Sequence, residues 1–363
     1  MNSIPNTDLT EDQLKALDSI KTSRVILPII IGISIAALLI WKQFDLKEFE
    51  KIHWGLYTFF WVILGIGLLI IRHLAYSLRL YLLSNKAFSY IKCIELIFIW
   101  EFSSCVAPTN VGGSAVALVV LSLEKLSTAK TASIVIYTVI LDSIFFLANI
   151  PILLALVGPT MLRPELKTIF EFNGWAYSFW IFYMFKIIYT SLFFYGLFIN
   201  PHGFKSLLNK ITNLSFLKKW KEKANKLGDD FIISSREIKY QSPIFHLKAF
   251  GITSIAWVCK FMFLAFLING IVTTTSLDFF NQLHLFARIQ SMYLIMAFSP
   301  TPGGSGFAEA VFPGFMHDFV PYGICIVVAL LWRLLAYNSY MLLGLIIIPN
   351  WMRKILSKHK ILK

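Results

Sequence analysis

The chain has 363 residues, 57% of them hydrophobic and only 15% charged, with a formal net charge of +13 and a mean hydropathy of +0.69. A soluble domain carries roughly 25% charged residues, and here the apolar residues run in unbroken blocks, which excludes an ordinary water-soluble core. The positive charge collects in the loops between blocks, so it reads as membrane topology rather than as nucleic-acid binding.

The first 24 residues are polar and partly acidic. They do not read as a cleavable signal peptide, and residues 1–24 are expected to form a cytoplasmic N-terminal segment. Within it Thr10-Glu11-Asp12-Gln13 has the form of a capping box for a short amphipathic helix. Residues 25–350 are expected to form one transmembrane domain. A spanning helix needs about 20 apolar residues, which places full spans at about 25–41, 54–83, 131–157, 175–200, 248–270 and 321–349. Two further apolar regions, 90–125 and 279–316, are interrupted by Pro and Gly. Each predicts a pair of half-helices or a helical hairpin.

Loop charge sets the orientation. The connection 201–247 and its neighbour Lys248 carry ten basic residues against four acidic ones. The tail 351–363 carries Arg353, Lys354, Lys358, Lys360 and Lys363 with no acid. Both are expected on the cytoplasmic side, with both chain termini. The loops 42–53 and 158–174 balance their charges and fall outside. With that parity, region 90–125 enters and leaves from the cytoplasm, and 279–316 from the opposite face. The fold class is therefore all-α, a polytopic membrane protein with about six full transmembrane helices plus two oppositely oriented re-entrant hairpins, the pattern of an inverted repeat. Within 201–241, Phe204, Leu207, Leu208, Ile211, Leu214 and Leu217 keep helical spacing, either as an interfacial amphipathic helix or as a solvated linker helix.

The two interruptions are alike. Around the first the chain reads Ala107-Pro108-Thr109-Asn110-Val111-Gly112-Gly113-Ser114; around the second, Ser299-Pro300-Thr301-Pro302-Gly303-Gly304-Ser305-Gly306. With one residue inserted, Pro-Thr and Gly-Gly-Ser align in both. Proline ends a helix, glycine allows positive φ, and serine can cap the next helix. Non-helical backbone at membrane depth is tolerated only inside protein or along a wet cavity. Freed amides at a half-helix start suit an anion such as phosphate. The alternative is a pair of kinks that only shape packing.

Ionisable residues inside the apolar blocks are Arg72, Glu95, Glu101, Asp142, Lys186, Lys260, Arg288, Glu309 and Arg333. Each is costly in lipid, so each should face protein or water and find a partner. Arg72 and Lys186 suit structural or snorkelling roles. Glu101, Asp142, Lys260, Arg288, Glu309 and Arg333 are candidates for substrate binding, with Pro108, Thr109, Gly112, Gly113, Ser114, Pro300, Thr301, Pro302, Gly303, Gly304 and Ser305 of the two breaks. Basic residues would hold a lipid phosphate, and acidic ones would balance them, choose the head group or carry protons. The four cysteines and seven histidines form no ligand set, and the chain carries no nucleophile triad or nucleotide loop. No cofactor, metal or catalytic residue is expected.

The stretch Ser299–Gly306 with Glu309 resembles the PTPGG-x-G-x-x-E hallmark of the lysylphosphatidylglycerol synthase transmembrane-region family, the flippase-like domain proteins. Arg288-Ile289-Gln290, Trp332-Arg333 and Leu141-Asp142 also look like family positions, and the resemblance covers roughly residues 25–350. The first break departs from the commoner basic version of the family's first motif, since no Arg or Lys follows Gly113 closely. The resemblance implies a lipid-translocating membrane domain, without the aminoacyl-transfer domain of the best-known members. The expectation is a multi-pass protein of the bacterial cytoplasmic (inner) membrane that moves a phosphate-bearing lipid or amphiphile. Its partners are membrane lipids with anionic or phosphate-bearing head groups, no nucleic acid is expected, and a homo-oligomer is admitted. The alternatives are a secondary transporter of a small polar solute, or a non-catalytic subunit in lipid-linked glycan or cell-envelope synthesis.

Overall fold

The computed structural model describes residues 41, 45–50, 52, 54–106, 110–124, 126–163, 165–166, 168, 174–299, 301–304 and 306–358. The expected N-terminal segment with its capping box, and the first span apart from Trp41, lie outside the described residues. So do Pro108, Thr109, Pro300, Ser305 and the last five residues of the tail.

The described chain is helical. A short helix α1 (Leu46–Glu50) leads to α2 (Leu56–Leu83), and the pair α3 (Tyr90–Val106) and α4 (Asn110–Leu123) follows. Next come α5 (Thr128–Val157), α6 (Gly174–Phe194) with a π-helical turn at Tyr195–Ile199, and the polar helices α7 (Pro201–Thr212) and α8 (Lys221–Ile238). Then α9 (Pro243–Ile271) precedes the pair α10 (Phe279–Met296) and α11 (Phe307–Met316). The chain closes with α12 (Tyr322–Arg333), a π-helical turn at Leu334–Asn338 and α13 (Ser339–Lys358).

Five stretches among the described residues are long and apolar enough to cross a membrane: Leu56–Leu83, Ala129–Val157, Ala176–Ile199, Pro243–Ile271 and Tyr322–Ile355. They match five of the six expected spans. At about 1.5 Å per residue, their 24 to 34 residues exceed the roughly 30 Å of a bilayer core. Helix α9 begins at Pro243 rather than near 248, because Ser242 caps it by accepting from the Phe245 amide at 3.2 Å and Pro243 suits a first helical position.

Both interrupted regions are hairpins, inserted from opposite ends. Helices α3 and α4 pack on each other, and their mouth is closed where Lys92 meets Glu124 at 2.6 Å. Trp351, near the end of α13, donates to that same Glu124 at 2.6 Å. Lys130, at the start of α5, reaches Glu237 of α8 at 3.4 Å. The first hairpin therefore opens at the end of the molecule where α8 lies. The second opens at the other end: Asn269 at the close of α9 pairs with Gln282 of α10 through two hydrogen bonds of 2.8 and 3.1 Å, and Asp45 donates to Gly323 at the start of α12 at 3.1 Å.

The hairpin tips meet in the middle. The Tyr337 hydroxyl, carried by the π-helical turn, donates to the Cys105 carbonyl at the end of α3. A Cβ on Gly303 would collide with the Tyr337 phenol and stand 2.6 Å from the same carbonyl oxygen. Two buried clusters flank this level. One holds Phe145, Phe261, Phe312 and Trp332; the other holds Leu80, Phe102, Phe231 and Trp351. In α7, Phe204 is fully buried while Leu207 and Ile211 remain exposed, the arrangement of a helix laid on an interface.

Candidate functional site: a cation-lined cavity between the hairpin tips

A cavity of about 590 Å³ lies at the meeting of the two hairpins and extends to Leu227 and Asp230 of α8. Its wall is apolar on several sides, through Leu80, Ile97, Leu118, Val135 and Phe146. Five cations face it: Arg72, Arg79, Lys186, Lys260 and Arg333. Three carboxylates, Glu101, Asp142 and Asp230, also line it, leaving a formal excess of two positive charges.

The arginines come from α2. Arg72, Tyr76 and Arg79 stand four and seven residues apart, on one stripe of the helix. Their guanidinium carbons lie 5.0 and 4.7 Å from the Tyr76 ring centroid, so the tyrosine separates two cations while facing both. Each arginine has a carboxylate. Arg72 donates to Glu101 of α3 and, at 3.1 Å, to the Tyr340 hydroxyl. Arg79 donates to Asp142 of α5 at 2.6 Å and to Thr253 of α9 at 3.2 Å, and Asp142 also accepts from Trp257 at 3.0 Å.

The lysines have aromatic neighbours instead. The Lys260 ammonium lies 4.6 Å from the Trp257 ring and 4.9 Å from that of Tyr293. Lys186 lies 5.7 Å from Phe146 and 6.0 Å from Tyr189. Among the described residues, neither has a carboxylate within ion-pair distance. Aromatic faces hold a cation without neutralising it, so these two charges remain open to an anion in the cavity.

The second hairpin's turn is tied down internally. Ser299 and Thr301 share a hydroxyl hydrogen bond of 2.9 Å, and the Gly304 amide donates to the Thr301 carbonyl at 3.0 Å. Gly303, Gly304 and Gly306 all have positive φ, which only glycine adopts without strain. Arg333 donates to the Gly303 carbonyl at 2.7 Å, stacks 3.8 Å from the Tyr337 ring and reaches Glu309 at 3.4 Å. Glu309, 4% exposed, accepts from the Gly306 amide at 2.8 Å.

The structure sorts the residues singled out in the sequence. Glu101, Ser114, Asp142, Lys260, Thr301, Gly303, Gly304 and Arg333 all line the one cavity. Glu309 lies behind Arg333. Its carboxylate occupies the start of α11, and the Gly304 amide is also taken, so amides expected to receive a phosphate already have partners within the chain. Helix α4 has no acidic residue in its first turn, and Ser114 brings that turn to the cavity. Gly112 and Gly113 lie in the first turns of the same helix, and Pro302 begins the short turn Pro302–Gly304. Arg288 is not brought to the cavity either. Its guanidinium donates to Asp318 at 3.1 and 3.2 Å and to the Phe315 carbonyl at 2.9 Å, fastening the second hairpin at its mouth.

Sequence reasoning missed Arg79 and Tyr337, and underrated Arg72 and Lys186. The stripe Arg72-Tyr76-Arg79 was a usable signal, because three such residues on one face of a spanning helix require a polar counterpart. Tyr337 gave none, since its position depends on the π-helical turn. Among the described residues, no group of three His, Cys, Asp or Glu side chains is placed to hold a metal ion, and all four cysteines are free thiols.

Fold and cavity define the class: a polytopic helical membrane protein with two opposed re-entrant hairpins meeting at a charged internal cavity. The family model for the lysylphosphatidylglycerol synthase TM region matches residues 29–344, and the chain belongs to that family. A UPF0104 membrane protein of Archaeoglobus fulgidus is 26% identical over 292 residues, covering 75% of this chain and 81% of that protein. No solved structure matches the chain significantly.

Proposed function

We propose that this chain is a lipid flippase, moving a phosphate-bearing lipid or amphiphile across the cytoplasmic membrane by a non-enzymatic, alternating exposure of the central cavity. The α8 end, with both termini, faces the cytoplasm, in keeping with the ten-to-four excess of basic residues around 201–248. One observation carries the reading. Lys186 and Lys260 present two cations, without carboxylate partners among the described residues, to a cavity whose remaining wall is largely apolar. An anionic head group and an acyl chain are the pair of chemistries such a wall accommodates.

Arg72–Glu101 and Arg79–Asp142 act as resident ion pairs. They can open toward an arriving phosphate without leaving a bare charge in low dielectric, since an unpaired buried ion is costly. The start of α4 adds its positive dipole end beside Ser114. The tip contact of Tyr337, Cys105 and Gly303 lies away from α8, which supports reading this arrangement as the cytoplasm-facing state. A small polar solute would need a hydrophilic wall, and Leu80, Ile97, Leu118 and Val135 argue against it.

The test is the flipping rate of a fluorescent phosphatidylglycerol in proteoliposomes. Lys260→Ala is expected to slow flipping at least about tenfold, equivalent to roughly 1.4 kcal/mol of lost head-group interaction. Arg288→Ala, remote from the cavity, is expected to leave the rate per folded molecule unchanged. Equal rates for Lys260→Ala and the unmodified protein would remove the cavity cation from the mechanism.

A further inference from the structure

We propose that a second lipid site lies outside the transport cavity, in the groove between α2 and α9 at the α8 end, and that it holds one anionic phospholipid of the adjoining leaflet. The groove has a volume of about 710 Å³, within the roughly 300–1,000 Å³ of ligand pockets. It shares no residue with the cavity wall, and the inference does not depend on the transport reading.

The floor is apolar: Leu78 and Leu82 from α2, Phe245, Ile252 and Ile255 from α9. Leu78 and Ile255 are 42% and 52% exposed on helices long enough to span, so this face meets lipid tails. Gly251 keeps the floor open, since a Cβ there would find no atom within 4 Å. At the rim stand Lys86, Lys248 and Asn85. Lys86 follows the end of α2 by three residues. Lys248 is five residues beyond the first position of α9, about 7–8 Å along the axis at 1.5 Å per residue. Both therefore lie at head-group level, where basic side chains meet anionic lipid. Both are exposed, and neither has a carboxylate within ion-pair distance among the described residues. A phosphodiester with acyl chains matches that rim and that floor together. A peptide would leave its backbone amides unpaired over the apolar floor.

The experiment is native mass spectrometry of the purified full chain, with phosphatidylglycerol or phosphatidylcholine added. Beyond any lipid held in the cavity, one tightly retained phosphatidylglycerol is expected, with phosphatidylcholine held at least about tenfold more weakly. Lys86→Gln/Lys248→Gln should lose that retention about tenfold. Gly251→Phe, which fills the groove and keeps both cations, should lose it as well. Lys260→Ala, a cavity variant, should keep it. Thermal unfolding of each variant confirms the fold, and all three positions are open enough for the substitution to leave it intact. Equal retention of phosphatidylcholine, or retention untouched by either groove variant, would overturn the proposal.

Discussion

Gly303 concentrates the requirements of the site in one residue. It adopts φ of 54°, its Cα side is closed by Tyr337 and the Cys105 carbonyl, and its own carbonyl accepts from Arg333. Gly303→Ala adds both a strained backbone and an overlap at the contact between the hairpin tips. The expected outcome is a loss of well over 1 kcal/mol of stability, read as a lowered Tm of the purified protein. Gly67→Ala is the control: it lies within α2 with open space around it, where alanine should stabilise by about 0.5–1 kcal/mol. Glu309 makes a parallel case. Glu309→Gln keeps a carbonyl for the Gly306 amide but removes the charge facing Arg333, so it should lower stability while Lys260 continues to support flipping. Thr301, Gly303 and Gly304 of the second break hold the turn through their own hydrogen bonds and contacts. Their importance was legible in the sequence because Pro and Gly are local signals. What they touch was not, since Gly303 to Tyr337 and Cys105 are contacts of tertiary packing.

Elements explain which charges became a site. Arg72 pairs with a carboxylate 29 residues away and Arg79 with one 63 residues away, so pairing could be required by cost but not assigned from the chain. The hairpins themselves were legible, through two Pro/Gly interruptions in apolar runs and the parity of the loop charges. Arg288 shows the limit: its place near the second break suggested a substrate role, whereas Asp318, just past α11, takes it. Removing Arg288 is expected to destabilise the second hairpin, by less than the 3–5 kcal/mol of a fully buried pair because Asp318 is about one-third exposed. Denaturation midpoint and flipping rate measured on one preparation separate that role from transport.

Helix α8 brings a titratable carboxyl, Asp230, to the cavity wall. Partial burial holds the Asp230 carboxyl above the usual carboxylate range, with Asp229 raising it further and Lys226 opposing. A raised carboxyl takes up its proton at a higher pH than a free one. As pH falls through that value, the cavity wall loses a negative charge, and if the cavity binds an anionic amphiphile it should do so more readily. Lys226 and Asp229 are the charged neighbours to hold constant. Asp230→Asn is expected to flatten the pH dependence of flipping and to raise the rate at neutral pH. An unchanged pH profile would assign the dependence elsewhere.

At the scale of the whole molecule, the two hairpins are inserted from opposite ends and meet at the level where apolar cores give way to the cavity. That arrangement places five cations and three carboxylates around one space that reaches from the hairpin tips to α8. Composition and block length made the membrane class legible, and the repeated break made the inverted pairing legible. The cavity was not, because it is assembled from α2 to α6, α8, α9, α10, the turn of the second hairpin, α12 and the turn before α13, most of which are far apart in the chain. The central claim is that the net positive charge of this cavity selects the head group. Its most direct test is the flipping rate of an anionic and of a cationic fluorescent lipid in proteoliposomes of the unmodified protein and of Lys186→Glu/Lys260→Glu. The account predicts that the anionic lipid is favoured by the first and that the preference falls or reverses in the second. A preference unaltered by the charge reversal would contradict it.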